Sequence, residues 1–252
     1  MMAGILDGKR AFVTGGHRGI GRAIAEAFVS AGAHTAIADI EGADKAALEI
    51  GAGTVGVECD VRSADSVAAA VAEAIGELGG LDLLVNNAGV ESLAPLHEMA
   101  EEEFDRLVSV NLRGTWLVYK HAVPALIDGG GAIVNIASLA GVVAFPLLGA
   151  YSATKGAVVR MTETMALELR DHGVRANAIC PGFVATDMVE RAAAGFTAAT
   201  GMPFDDLVTK GQGRLGNPCD IAALATFLAS DHASFVNGTT IVADGGMNLQ
   251  RA

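Results

Sequence analysis

Tyrosine, tryptophan, cysteine, proline and charge are all scarce in this chain of 252 residues. It holds two tyrosines, one tryptophan, three cysteines and six prolines, and only 18% of its residues are charged. Cys59, Cys180 and Cys219 are widely separated and odd in number, so they form neither a disulfide framework nor a C-x-x-C metal site. They read as small buried residues of a reducing compartment. Positive charge is in short supply too: 17 Lys and Arg against 29 Asp and Glu give a net charge of -12. That balance argues against nucleic acid, whose binding rests on neutralising phosphates, and against anionic membrane surfaces. No apolar run approaches the roughly 18 residues of a membrane span. The stretch Met1 to Arg10 has no basic segment followed by an apolar one, as a secretory signal would. A cytoplasmic protein is expected. The six histidines show no metal-ligand spacing, and Glu101-Glu102-Glu103 reads as a helix start that complements the dipole. No metal site is expected.

Apolar residues, by contrast, make up 51% of the chain, and 32 glycines punctuate it. The length suits one large α/β domain with a well-buried core. Short β-like runs are expected at Ala11–Val13, Thr35–Ala38, Thr54–Val57, Leu83–Val85, Ala132–Ile136, Ala176–Ile179 and Thr239–Val242. Helical patterns fill the gaps at Ile20–Ser30, Ala64–Leu78, Glu102–Leu126, Ser152–Asp171 and Cys219–Ala229. Such alternation predicts a single Rossmann-type, doubly wound parallel sheet of about seven strands with helices on both faces. No linker or repeat divides residues 1–252. One stretch breaks the alternation: Met188–Asn217, rich in Ala, Gly and Thr, reads either as a cover over an active site or as a plain helical excursion. Asn217-Pro218 then restarts a helix with Asn at the cap and Pro at the first helical position.

One of the two tyrosines, Tyr151, stands one helical turn before Lys155, which puts a phenol and an ammonium on the same helix face. A nearby cation favours the phenolate and lowers a pKa that is ordinarily about 10. Ser138 follows the apolar run Ala132–Ile136. A hydroxyl beside a tuned tyrosine is what proton transfer at a carbinol or carbonyl oxygen needs. Near the N-terminus, the first expected strand runs into Thr14-Gly15-Gly16-His17-Arg18-Gly19-Ile20-Gly21 and then a helix. Glycines let a backbone turn sharply and approach a phosphate, and the helix N-terminus offers free N–H groups. The spacing Gly-x-x-x-Gly-x-Gly departs from the Gly-x-Gly-x-x-Gly dinucleotide fingerprint. Asp39 follows the second expected strand, where a carboxylate accepts from ribose hydroxyls and repels a 2′-phosphate. Arg18 points the other way, since a guanidinium pairs with a 2′-phosphate; Asp39 outweighs it, and NAD is expected over NADP.

These residues, with Asp60-Val61, Asn86-Asn87-Ala88-Gly89, Asn111, Pro181-Gly182 and Thr186, occur in the order of a known family. The chain resembles the short-chain dehydrogenase/reductases over nearly its whole length. The resemblance implies that Asn111, Ser138, Tyr151 and Lys155 form the catalytic tetrad. In it Tyr151 is the acid/base, Lys155 tunes it and holds the nicotinamide ribose, Ser138 binds the substrate oxygen, and Asn111 supports a water relay. It also implies that Asp60 and Val61 meet the adenine, that Asn87, Ala88 and Gly89 line the cofactor edge, and that Pro181, Gly182, Val184 and Thr186 hold the carboxamide. Gly15, Arg18, Gly19, Ile20 and Gly21 form the pyrophosphate turn.

The family implies an NAD(P)-dependent oxidoreductase acting on a small-molecule substrate, and a homotetramer or dimer built on the helices around Asn111 and Tyr151 and on the C-terminal helix and strand. The favoured substrate is a small alcohol, polyol, sugar or cyclic diol; the alternatives are a 3-oxoacyl thioester or, remotely, no substrate at all in a nucleotide-binding regulator. The pocket is expected to include Val90, Glu91, Ala140, Val142–Leu148, Phe183 and Met188, with Glu91 as its one polar candidate.

Overall fold

The computed structural model describes residues 4–249, so the first three residues of the stretch read for a signal pattern lie outside it. Seven strands form one parallel sheet: β1 Arg10–Thr14, β2 His34–Asp39, β3 Val55–Glu58, β4 Leu83–Asn86, β5 Gly131–Ile136, β6 Val174–Pro181 and β7 Thr240–Ala243. Their spatial order is β3-β2-β1-β4-β5-β6-β7. The chain works outward from β1 to one edge, then returns to β4 and builds the other half. A crevice opens between the C-terminal ends of β1 and β4, where the order reverses, and such crevices bind ligands in open α/β sheets.

Residue by residue, the strands feed both faces. Ala11 and Val13 pack into one core layer while Phe12 packs into the other. Leu83 and Val85 against Leu84 do the same, as do Ala132, Val134 and Ile136 against Ile133. Side chains alternate along a strand, so a strand apolar at every position must be covered twice. One layer is closed by α1 Gly19–Ser30, α2 Ala43–Ile50 and α9 Pro218–Ala229; the other by α3 Ala64–Leu78, α5 Thr115–Gly129 and α6 Gly149–Leu169. The Asn217 cap of α9 is present with a full capping box to Asp220.

Three stretches differ from the sequence reading. First, α2 was not anticipated: its eight residues are too few to develop a clear apolar period. Second, the expected helix Glu102–Leu126 is broken into α4 Glu101–Leu107, a π-helical turn at Val108–Gly114, and α5. Pattern alone does not betray a π turn, because the apolar stripe continues through it; the side chain it presents is Asn111. Third, Met188–Asn217 contains two helices, α7 Asp187–Thr200 and α8 Phe204–Gly211. The T-shaped ring pairs Phe145–Phe183, Phe183–Phe204 and Phe196–Phe204 fasten both helices to the loops at the sheet's C-terminal edge.

Candidate active site

The glycine-rich turn follows β1. Gly15 and Gly19 sit at φ 66° and 59°, the left-handed region where a side chain is strained. Space is as tight as the backbone: a Cβ on Gly21 would stand 2.0 Å from the Gly15 carbonyl oxygen and 2.4 Å from Asn87 Nδ2. Asn87 ties the turn to β4, donating through Nδ2 to the Thr14 and Gly15 carbonyls, each at 3.0 Å. Arg18 is the N-cap of α1 but makes no side-chain cap, and the first turn carries no acidic residue. The first amides of α1 therefore have no capping side chain competing for them.

A cleft of about 370 Å³ runs from this turn across the sheet. Gly15, Arg18, Gly19, Ile20, Asp39, Asp60, Val61, Asn87, Ala88, Gly89 and Thr186 line it. Gly21 packs beneath the turn and is not part of the cleft lining. The Asp39 carboxylate accepts from the His17 amide at 3.1 Å and the Ile40 amide at 2.8 Å, which fixes it at the end of β2. Arg18 pairs with Asp187 on α7 at 3.1 Å, both side chains being largely exposed. Asp60 is held by a two-pronged bond from Arg62, which keeps its carboxyl below the usual range. Turn, uncapped helix amides and terminal carboxylate together fit a dinucleotide with its pyrophosphate at α1 and its adenosine ribose at Asp39.

The cleft opens into a smaller pocket of about 150 Å³. Ser138, Tyr151, Lys155, Pro181, Gly182, Val184 and Thr186 line this pocket, and Ile20, Asn87, Gly89, Glu91, Thr186 and Met188 border both spaces. Ser138 ends the extended segment after β5, and its Oγ accepts from the Ala140 amide at 3.2 Å, leaving the hydroxyl hydrogen to donate. Tyr151 and Lys155 lie one turn apart on α6. Lys155 is 4% exposed, and its ammonium donates to the Ile136 carbonyl at 2.9 Å and lies 5.9 Å from the Tyr151 ring centre.

The tyrosine does not show the lowered pKa expected from its cation. Burial pushes the Tyr151 phenol up to about 12, only partly opposed by the Ser138 hydroxyl beside it. Burial likewise pulls Lys155 down to about 8. Desolvation favours the neutral form of each group, although Tyr151 is half-buried while Lys155 is fully buried.

Asn111 is fully buried and lines neither space. Its Oδ1 accepts from the Val90 amide at 2.8 Å, and its Nδ2 donates to the Val90 carbonyl at 2.9 Å and to Thr154 Oγ1 at 3.1 Å. The amide pins the strand-end loop to α6. Its backbone carbonyl accepts from Thr115 Oγ1 at 2.8 Å within the π turn. The segment after β6 is fixed by Gln212, absent from the sequence reading: it accepts from the Phe183 amide at 2.8 Å and donates to the Phe183 carbonyl at 2.7 Å. Thr186 caps α7, accepting from the Val189 amide at 3.4 Å. Of the expected pocket wall, Glu91, Ala140, Phe145, Leu148, Phe183 and Met188 line it, while Val90 lines the cleft instead. Val189 and Ala192 of α7 complete the wall. Among the described residues, no group of three His, Cys, Asp or Glu side chains is placed to hold a metal ion, and no helix is long and apolar enough to cross a membrane.

Comparison with known proteins bears on this geometry. Residues 15–248 match a family model described as Enoyl-(Acyl carrier protein) reductase. The chain is 40% identical to sorbitol dehydrogenase of Cereibacter sphaeroides, covering 96% of this chain and 98% of that protein. It is 41% identical to D-threitol dehydrogenase of Mycolicibacterium smegmatis, covering 97% and 95%. Levodione reductase superposes with a TM-score of 0.91 at 32% identity, covering 97% of this chain and 99% of that one. A parallel sheet reversing beside a glycine turn, and relatives matched from end to end, lead to one conclusion: the chain belongs to the short-chain dehydrogenase/reductase family and is an NAD(P)-dependent oxidoreductase acting on a CH–OH group.

Proposed function

We propose that this enzyme interconverts a small polyhydroxylated secondary alcohol and its ketone, prefers NAD, and uses Tyr151 as its acid/base. The observation that carries the reading is the convergence of Ser138, Tyr151 and Lys155 on one pocket that opens directly into the cleft lined by Asp39.

A bound nicotinamide nucleotide supplies or accepts the hydride. Gly15, Gly19 and the α1 amides would hold its pyrophosphate, Asp39 its adenosine ribose, and Lys155 its nicotinamide ribose; Pro181, Gly182, Val184 and Thr186 would flank the nicotinamide. The chain itself manages the proton. In the reducing direction Tyr151, neutral across the ordinary pH range, donates its phenolic proton to the substrate oxygen. Ser138 donates a hydrogen bond to the same oxygen and stabilises the charge that develops there. In the oxidising direction the phenol must first lose its proton, which the buried Lys155 ammonium favours as it approaches the ring. Asn111 acts on this site by holding Val90 and α6 in place.

NAD preference follows from Asp39, which is anchored by two backbone amides, while Arg18 is engaged by Asp187. The relatives named for sorbitol and threitol support a polyol, and the largely apolar walls accommodate its carbon chain. A thioester carried by an acidic protein fits less well: the chain has a net charge of -12, and the rim arginines Arg18 and Arg191 are each paired with a carboxylate. A homotetramer in the cytoplasm completes the reading. The free cysteines Cys59 and Cys180 are buried as expected, whereas Cys219, in the first turn of α9, is exposed, contrary to the sequence reading; exposed Phe104, Trp116, Leu167 and Phe227 lie on the helices expected to meet partner subunits.

The test is a panel of polyols, simple secondary alcohols and 3-oxoacyl esters, followed by NADH and NADPH absorbance, with light scattering for the oligomer. Turnover of polyols with NAD is expected. Turnover confined to 3-oxoacyl esters, or a clear NADP preference, contradicts it.

A further inference from the structure

We infer that Glu91 is the specificity-determining residue of the pocket: its carboxylate accepts a hydrogen bond from a second hydroxyl of the substrate, beside the one that reacts at Tyr151. This rests on the alcohol–ketone reading above and narrows its substrate class to diols and higher polyols.

Three observations carry it. Glu91 and Lys155 are the charged side chains lining the pocket, and the lysine is already donating to the Ile136 carbonyl. The Glu91 side chain is only 14% exposed. Among the described residues its one ion pair is long, 3.9 Å to Arg191 of α7, whose own side chain is 58% exposed. A carboxylate this sheltered ordinarily collects two or three short hydrogen bonds, because each unfilled oxygen costs free energy. Arg106 feels the charge of the Glu91 carboxylate, but its hydrogen bond to the residue, at 3.0 Å, goes to the backbone carbonyl. The oxygens therefore border the pocket with acceptor capacity to spare.

The placement fits a diol. Glu91 borders both the pocket and the cofactor cleft, and it is close enough to Tyr151 for its charge to bear on the phenol. A substrate whose reacting oxygen sits between Ser138 and Tyr151 has its neighbouring carbons within a lining that is otherwise mostly apolar. A hydroxyl on one of those carbons needs an acceptor, and Glu91 is the charged one available. A site built to hydrogen-bond a hydroxyl discriminates strongly against the analogue that lacks it. Arg191 is a positioning residue: its long ion pair joins the carboxylate to the helix that roofs the pocket.

The experiment compares 2,3-butanediol and threitol with 2-butanol, using the wild type, Glu91→Gln and Glu91→Leu. For the wild type, kcat/KM is expected to favour the diols over 2-butanol. In Glu91→Gln that diol-to-alcohol ratio falls about 10- to 100-fold, and in Glu91→Leu it falls further, since a charged hydrogen bond and then any acceptor is lost. A second readout does not depend on turnover. Threitol added to the NADH-loaded enzyme raises its melting temperature more than 2-butanol does, and Glu91→Gln removes the difference. Equal ratios in wild type and both variants, or a threitol-induced shift that survives in Glu91→Leu, overturn the assignment while leaving the alcohol–ketone reading intact. A wild type that turns over none of the three with either nucleotide, and melts alike with all of them, sinks both.

Discussion

Lys155 and Tyr151 share one face of α6, yet the Lys155 ammonium is committed to the Ile136 carbonyl at 2.9 Å and stands 5.9 Å from the tyrosine ring centre. The lysine is fastened to the sheet first and reaches toward the phenol second. This order explains why burial, and not the cation, sets both groups, with Tyr151 at about 12 and Lys155 at about 8.

A phenol that keeps its proton is ready to act as an acid and must be stripped to act as a base. Ketone reduction is therefore expected to hold steady through neutral pH and fall in alkali, whereas alcohol oxidation rises as the medium becomes alkaline. Tyr151→Phe should lower kcat in both directions by about 100- to 10,000-fold, the usual scale for a lost general acid or base. Stopped-flow traces of single turnovers on either side of pH 8 check it; a variant with normal turnover removes Tyr151 from the chemistry.

Stability carries the same signature with a definite sign. Lys155 has a folded pKa of about 8 against an ordinary 10.5. Between those values the unfolded chain binds a proton that the folded chain does not, so stability rises with pH across that window. The full effect is on the order of 3 kcal/mol, complete above about 10.5 and lost as pH falls through 8. Tyr151 works oppositely: its folded pKa lies above its ordinary 10, so its contribution is intact below 10 and lost as pH rises toward 12. Urea unfolding of wild type and Lys155→Met at pH 7 and 9.5 isolates the lysine, since other titrations cancel in the difference. The wild type should gain on the variant at the higher pH; a constant gap would mean that the buried ammonium is not penalised.

Most of this site was legible because its chemistry sits at strand ends, where glycine, aspartate and asparagine interrupt apolar runs. Asp39 at the end of β2, Asn87 after β4 and Ser138 after β5 all stand where the alternation placed them. What escaped had no local signature. The π turn hides inside a continuous helical pattern, and Gln212 is an unremarkable amide until α8 folds it against Phe183. Pairings such as Arg18 with Asp187 and Glu91 with Arg191 depend on which rotamers meet across the cleft. The upward direction of the Tyr151 pKa escaped for a related reason: spacing reveals the neighbouring cation but not the desolvation that opposes it.

Asn111 should behave as a structural pin whose loss reaches the chemistry. Asn111→Ala removes three side-chain hydrogen bonds at a fully buried position and leaves the Val90 amide and carbonyl without those partners. A cost of roughly 2–4 kcal/mol in urea unfolding is expected. Activity should fall with it, because Gly89 lies between Asn111 and Lys155: a methyl there would stand 3.4 Å from Asn111 Oδ1 and 3.3 Å from Lys155 Nζ. Unchanged stability in the variant would show that water replaces the amide at no cost.

The proposed preference for NAD rests on a single carboxylate. Asp39 accepts from the His17 and Ile40 amides, so it cannot swing away from an incoming 2′-phosphate without giving up both bonds. Two like charges about 4 Å apart at an effective dielectric of ~20 repel by up to ~4 kcal/mol. Asp39→Ser removes the charge and keeps a hydroxyl for the ribose. NADP should gain about 10- to 100-fold in kcat/KM while NAD weakens, as the bonds between Asp39 and the ribose hydroxyls are lost. Adding Asp187→Asn, which frees Arg18 from its 3.1 Å partner, should raise NADP use further. Steady-state kinetics with both nucleotides decide it: if Asp39→Ser leaves the NAD-to-NADP ratio unchanged, the discrimination lies elsewhere in the cleft.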